Sequence, residues 1–435
     1  MKRNRLVAAT AVSTVTLALA LTACSSDTDA PADDAQAGES GEMASGDIRV
    51  WLVGSDTPDE ARDYLKTTFE SENEGSTLTI EEQSWTGLVD KYTTALSGSD
   101  SPDLVEIGNT QAPAFTSAGA FMDLTDDYDA LGGDDLLPGF VESGSYEGKF
   151  YAAPYYSGAR IGIYSTDVTG DTPAPTTWDD YLANIESLAS DDVSGLYTPG
   201  KDWRNGMAFV WVNGGNIATV DDAGTWTGGF SEPEAITGLE QLQDVMLNAN
   251  HAPADSDETD PQVPFCAGEV AYLTAPNWVR WSIAAPEDAE APGCASTYGA
   301  EDKLQAFALP GMTEGEYAPV LAGGSNVAIP TNAPNPELAK SALEIILSDG
   351  YQQILAENGL VPAKVSQAQF MADDAFSQAA SNAAGAAQLT PASPAWADVE
   401  ASGVLEDSFV KIAQGEDVAT VAAELDAAVE ETLNG

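Results

Sequence analysis

Ile48-Arg49-Val50-Trp51-Leu52-Val53, followed by Thr57-Pro58-Asp59-Glu60 and then by Leu78 to Glu82, sets an apolar run, a helix start and a second apolar run in quick succession. The first run is dense in β-branched and large apolar side chains and reads as a strand. Thr57 and Glu60 have the spacing of a capping box, and Pro58 suits a first helical turn. Leu78 to Glu82 supplies a second strand, Leu88 to Leu96 a helix and Leu104 to Ile107 a third strand. Short apolar runs alternating with amphipathic stretches predict an α/β fold with a largely parallel core sheet.

The alternation continues beyond this block. After an acidic loop, Asp126-Asp127-Tyr128-Asp129, come two β-rich runs, Phe150 to Pro154 and Ile161 to Tyr164, with a crossover expected between them. Thr177 to Asp180 and Ser231 to Glu234 are further capping-box starts, leading apolar periodicities through Leu188 and Met246. Asn335-Pro336 opens a helix to Leu347, Gly359 and Pro362 stop the next one, and helices near Val404 to Ala413 and Val418 to Leu433 end the chain.

Upstream, Lys2, Arg3 and Arg5 precede an apolar run from Leu6 to Leu21, and Leu21-Thr22-Ala23-Cys24 reads as a lipobox. The run falls short of the ~20 residues that a bilayer core requires. Residues 1–23 are therefore read as a signal peptide, and Cys24 as the thiol that forms a thioether with a diacylglycerol. Residues 24–45 are rich in Asp, Ala, Ser and Gly with no aromatic residue, the composition of a flexible lipidated tether. The expected location is the extracytoplasmic face of a bacterial cell membrane.

The 435-residue chain carries 16 Lys and Arg against 70 Asp and Glu, a net charge of -54. With 43% hydrophobic content it can bury a sizeable core. Such a surface repels nucleic acid and offers no funnel for phosphate ligands; neutral or cationic ligands are favoured. Of three cysteines, Cys24 is assigned to lipid, which leaves Cys266 and Cys294 in an oxidising setting. A disulfide between them is expected, contributing about 3 to 4 kcal/mol by chain-entropy reasoning.

Chemistry is sparse. His251 is the single histidine and lies in a polar loop, which disfavours Ser-His-Asp and Cys-His sites. No G-x-S-x-G, P-loop, dinucleotide fingerprint or Cys/His metal spacing occurs. Asp255-Ser256-Asp257-Glu258-Thr259-Asp260 begins like a calcium loop but lacks Gly at its sixth position and ends on Cys266 rather than Glu, so it reads as a solvated loop. Carboxylate pairs for glycoside hydrolysis have no short motif and remain open. No cofactor or metal is expected.

What stands out is nine tryptophans, several beside amides and acids near strand ends and helix starts. A sugar ring offers an apolar C–H face fringed by hydroxyls, so its site needs flat aromatics edged by polar side chains. Gln83-Ser84-Trp85, Asn109-Thr110-Gln111, Asp202-Trp203-Arg204, Asn277-Trp278 and Trp396 match that need. Trp85 serves equally as a core cap, Asn109 and Gln111 as caps of the helix starting near Ala112, and Asp56 as a turn residue. Trp51, Trp178, Trp211 and Trp281 are expected to pack in cores.

Ser101-Pro102-Asp103-Leu104-Val105 with Ala118-Gly119-Ala120-Phe121-Met122-Asp123-Leu124 forms one block, and Gly148-Lys149-Phe150-Tyr151-Ala152-Ala153-Pro154, Ile163-Tyr164-Ser165 and Thr177-Trp178 a second. Further blocks are Gly268-Glu269-Val270-Ala271-Tyr272 leading to Asn277-Trp278, and Gly323-Gly324-Ser325-Asn326-Val327-Ala328-Ile329-Pro330 with Pro336-Glu337-Leu338-Ala339-Lys340 and Gly359-Leu360-Val361-Pro362. In order and spacing these resemble the extracellular solute-binding proteins of sugar ABC transporters, the group that includes maltose-binding protein. The resemblance covers nearly the whole mature chain. It implies a two-lobed periplasmic-binding-protein-like fold of type II, with lobes joined by a hinge and a ligand cleft between them. Lobe 1 would be residues 46–156 plus 324–361, and lobe 2 residues 157–323 plus 362–435.

By the same resemblance, ligand contacts fall on Ser55, Asp56, Trp85, Asn109, Gln111, Trp203, Trp278 and Trp396, with Gly324 and Ser325 as backbone or hydroxyl contacts; Asp202 and Asn277, the polar neighbours of two of these tryptophans, are candidates by residue chemistry alone. An acid that maltose binders use near the first crossover appears here as Gly158, with Tyr156 or Arg160 as substitutes. The implied function is a lipid-anchored, monomeric and non-enzymatic receptor that delivers a di- or oligosaccharide to ABC permease subunits. A cationic solute such as a polyamine, or a secreted lipid-anchored glycosidase, are the alternatives.

Overall fold

The computed structural model describes residues 45–435 except 55, 56, 86, 99, 222, 290 and 299–302. The expected signal peptide, the expected lipid site Cys24, the expected tether up to residue 44, and Ser55 and Asp56 lie outside the described residues. Strand β1 (Asp47–Val53) runs parallel to β2 (Thr77–Gln83) and β3 (Leu104–Gly108), with Ile48 opposite Leu78 and Val50 opposite Leu104. Between and after them lie α1 (Asp59–Glu72), α2 (Leu88–Leu96) and α3 (Ala112–Ser117). Ala61, Leu65 and Phe69, each one turn apart, form the buried stripe of α1.

The remaining strands of this nine-stranded sheet are β4 (Ala152–Ser165), β5 (Ser194–Tyr197), β6 (Val270–Pro276), β7 (Leu304–Phe307), β8 (Ala322–Ala328) and β9 (Val361–Pro362). Strand order is β2-β1-β3-β8-β4-β6-β5, with β7 and β9 also paired to β4. The crossover expected between 154 and 161 is made without a break: β4 is one uninterrupted strand of 14 residues. Its first half pairs with β8 from Ala152 to Ala159, and its second half with β6 and β7. Small residues at Ser157-Gly158-Ala159 resemble a loop in sequence but here allow close approach of neighbouring groups. All pairings to β4 are antiparallel, as is β3 with β8, so the sheet is mixed rather than largely parallel.

The α-helices of five residues or more that follow β4 are α4 (Trp178–Leu188), α5 (Trp203–Val212), α6 (Pro233–Asn248), α7 (Gln262–Cys266), α8 (Val279–Ile283), α9 (Pro336–Ile346), α10 (Asp349–Glu357), α11 (Ala375–Ala386), α12 (Trp396–Ser402), α13 (Val404–Ala413) and α14 (Val418–Asn434). Thr177 caps α4 as expected, accepting from the Asp180 N–H. The other two capping boxes do not form. The Thr57 hydroxyl bonds the Tyr155 hydroxyl at 2.9 Å, and Ser231 bonds Asp426 on α14, because buried tertiary partners outcompete the local N–H.

Two lobes follow from the cores. One core joins Val50, Phe69, Leu104, Tyr155, Val327, Leu343 and Tyr351, with an adjoining cluster around Trp51, Tyr92, Ile107 and Phe115. The other joins Ile161, Trp178, Trp203, Phe209, Leu239, Tyr272, Ile283, Leu321, Trp396, Phe409 and Leu425. Each fully buried large side chain contributes about 1.5 to 3 kcal/mol of hydrophobic stabilisation. Trp51, Trp178 and Trp211 are core residues as expected, whereas Trp281 is 37% exposed on the short helix α8. Cys266 and Cys294 are joined by a disulfide with Cα atoms 5.4 Å apart. It ties the end of α7 to a buried loop residue beyond α8 whose N–H donates to Ile283 O. Among the described residues no helix is long and apolar enough to cross a membrane.

Candidate functional site

A cavity of about 480 Å³ opens where the two cores face each other across β4 and β8. One wall comes from the segments after β2 and β3 and from the middle of β8: Trp85, Gly108, Asn109, Thr110, Gln111, Gly324 and Ser325, with Tyr156 of β4 behind them. The other comprises Arg160, Arg204, Glu258, Pro261, Pro276, Trp278, Val279 and Glu400, with Leu321 to Gly323 at its base. Charged side chains are confined to this second wall.

On the first wall the backbone is held tightly. Asn109 donates its N–H to Gly324 O at 3.1 Å and its Nδ2 to Ala322 O at 3.2 Å, which fastens the turn after β3 to β8. Gln111 is the N-cap position of α3 but makes no side-chain cap bond. Its Oε1 and the Ser325 Oγ are buried and have no hydrogen-bond partner among the described residues. Unpaired buried acceptors and hydroxyls cost about 1 to 3 kcal/mol each, so a ligand that satisfies them gains accordingly. The Tyr156 hydroxyl is already committed to Glu106 Oε1 at 3.0 Å, so its ring edge rather than its oxygen is the surface on offer. Trp85, 40% exposed, lies at the rim with its ring over Gly108.

The second wall is an ion-pair network. Arg160 on β4 donates to both oxygens of Glu258, at 2.7 and 3.1 Å, and to Asn205 Oδ1 at 2.9 Å. Asn205 in turn donates to Asp202 and to Thr274 O. Burial would raise the Glu258 carboxyl, but Arg160 outweighs it and holds it below the ordinary carboxylate value. Asp202 has no such direct bond to Arg160; burial, and then the Glu258 charge, push it up to about 6. Arg204 lies over the Trp203 ring at 4.7 Å and 3.9 Å from Glu406. Burial raises the Glu400 carboxyl, opposed by Arg204, Trp396 and Thr110. Thr110 Oγ1 donates to Glu400 Oε2 at 3.2 Å, a direct bond between the two walls.

Of the candidate residues read from the sequence, the structure brings Trp85, Asn109, Gln111, Tyr156, Arg160, Trp278, Gly324 and Ser325 to this cavity. Asp202, Trp203, Asn277 and Trp396 do not line it. Asp202 caps α5 and is buried; Trp203 and Trp396 are fully buried, packed edge to face at 6.2 Å, with Trp203 Nε1 donating to Glu406. Asn277 Nδ2 donates to Gly359 O at 2.6 Å and fixes the turn that presents Trp278. In two of these segments a neighbour reaches the cavity instead: Arg204 after Trp203, and Glu400 one turn beyond Trp396. Thr110, between the two singled-out amides, also lines the cavity, as do Pro261 and Glu258, which no sequence pattern marked, Glu258 because it sits in an acidic run read as solvated. Gly158 has a physical reason too: the Trp278 ring fills the space that a side chain there would take.

The family model of the bacterial extracellular solute-binding proteins matches residues 64–404. The chain is 30% identical over 407 residues to the diacetylchitobiose binding protein DasA of Streptomyces coelicolor, covering 92% of this chain and 91% of that protein. Among solved structures, the GacH receptor of Streptomyces glaucescens, determined unliganded and with acarbose and an acarbose homologue, superposes with a TM-score of 0.75 at 20% identity over 90% of this chain and 99% of the other. The sugar-binding protein MalE of Xanthomonas citri gives 0.74 at 19% identity, covering 89% and 97%. Both share the two-lobed α/β architecture. With a family match over most of its length and a relative aligned nearly end to end, the chain belongs to the bacterial extracellular solute-binding proteins.

Proposed function

We propose that this protein is the substrate-binding component of a sugar ABC importer and that it holds a short oligosaccharide in the cavity between its lobes. The observation that carries this reading is the composition of the cavity: two half-exposed indoles, Trp85 and Trp278, together with unpaired neutral oxygens on Gln111 and Ser325. Its volume of about 480 Å³ lies in the range of small-molecule sites. The name of the relative DasA supports an N-acetylated amino-sugar disaccharide as the first ligand to test.

Charge argues for a neutral solute over a polyamine. The charged side chains lining the cavity are two arginines and two glutamates, and the acidity of the whole chain is not concentrated there. A receptor also fits better than a glycosidase, since Glu258 is held by Arg160 and Glu400 by Thr110. We further propose that the protein acts as a monomer tethered through Cys24 and passes its ligand to permease subunits. Lobe 1 is drawn as residues 46–156 plus 324–361 and lobe 2 as 157–323 plus 362–435. Ligand touching both walls favours a closed arrangement reached by bending about β4, β8 and β9.

Calorimetric titration of the protein from Ser25 onward with N,N′-diacetylchitobiose, maltose and spermidine tests this. Saturable binding of a sugar with a raised melting temperature is expected. Binding of spermidine alone, or release of monosaccharide from the disaccharide, would overturn it.

A further inference from the structure

We infer that Gly158 is a positioning residue that fixes the pose of Trp278 and, through that ring, the ligand face accepted at this end of the cavity; the inference rests on the sugar-binding reading above. A Cβ on Gly158 would lie 2.1 Å from Cζ3 and 2.6 Å from Cε3 of Trp278, far inside contact distance. Opposite Gly158 on the paired strand is Gly323, whose Cβ would stand 3.5 Å from Cη2 of the same ring. The indole thus rests on bare backbone where β4 and β8 meet, and its other contacts are with the core of the first lobe.

Backbone conformation does not require this glycine. Gly158 is not among the residues of positive φ, so an L-residue fits the strand itself. The obstruction comes from Trp278 and from the Asn277 Oδ1, 2.9 Å from the Cβ position. A side chain at 158 and the Trp278 ring in this pose exclude each other. With glycine there, the floor presents an aromatic face and no hydrogen-bonding side chain at position 158. A sugar ring set on it is read by its C–H face, which selects pyranoses whose hydroxyls are equatorial. A side chain at 158 would drive the indole up into the space of the ligand.

Four proteins test this: wild type, Gly158→Ala, Trp278→Ala and the double variant. Titration with N,N′-diacetylchitobiose is expected to show Gly158→Ala weakening binding by about tenfold or more in the wild-type background, as loss of a central aromatic contact does. In the Trp278→Ala background the same change is expected to alter affinity less than about twofold, since the two sites then no longer couple. Unaltered binding by Gly158→Ala, or an equal loss in both backgrounds, would overturn the inference. If Gly158→Ala fails to fold, recovery of a wild-type melting transition in the double variant supports the steric exclusion, and failure of the double variant to fold overturns it. Near-UV circular dichroism separates this from the sugar reading. A difference spectrum on Gly158→Ala that vanishes without Trp278 upholds the seat even if no sugar binds, and an unchanged spectrum refutes it.

Discussion

The wall carrying Thr110, Gln111, Gly324 and Ser325 has no charged side chain and leaves two of its oxygens without partners, whereas the wall facing it holds Arg160, Glu258, Arg204 and Glu400, each engaged with a neighbour. Polar groups already satisfied gain little from a ligand, while unsatisfied ones gain a full hydrogen bond. On the function proposed above, the difference gives the charges mainly the role of holding the second wall in shape, and the neutral amide and hydroxyl that of recognition. Trp278 belongs to the charged wall by sequence but packs against the other core, so it joins the two.

The largest effect is expected from breaking the charged wall. Arg160→Met leaves Glu258 and Asp202 without their buried countercharge and should cost about 3 to 5 kcal/mol of stability in denaturant titrations. Trp278→Ala should act on affinity instead, by about 2 kcal/mol or more in calorimetry, with a smaller loss for the rim residue Trp85. A pH series separates the layers further. The folded Asp202 carboxyl binds its proton more tightly than the unfolded one. Its stabilising contribution is therefore full below pH ~4 and lost as pH rises through about 6. Relative to Asp202→Asn, the wild type should lose about 2 to 3 kcal/mol of stability between pH 4 and 7. Ser325→Ala removes an unpartnered buried hydroxyl and should raise the stability of the unliganded protein by about 1 kcal/mol while weakening sugar binding by about 1 kcal/mol. Smallest of all, Thr110→Val removes the bond between the walls and should shift affinity by less than about 1 kcal/mol.

Much of the architecture was legible because it rests on local patterns. The runs at 48–53, 78–82 and 104–107 are strands, and the helices at 88–96, 404–413 and 418–434 begin and end within a residue of their expected bounds. Reading failed where a distant partner decides. Thr57 and Ser231 have the same spacing as Thr177, yet Tyr155 and Asp426 claim them. Trp203 and Trp396 look like cavity residues beside helix starts, and only the packing of α5 against α12 and α13 shows that both face inward. Glu258 could not be told from its acidic neighbours, because its partner Arg160 lies 98 residues away. Small residues in the middle of β4 resembled a break, when they make room for an indole.

Continuity of β4 bears on mechanics. Tyr156 and Arg160 flank Gly158 on the strand shared by both lobes, so on the closure proposed above they sit at the fulcrum. Groups at a fulcrum shift little as the lobes turn, so a ligand touching them would gain no preference for either arrangement. Trp85 and Glu400 lie on opposite walls and off that strand, so such a turn would change their separation. Contact with residues of that kind, rather than with the pivot, would set how firmly a given sugar swings the lobes shut.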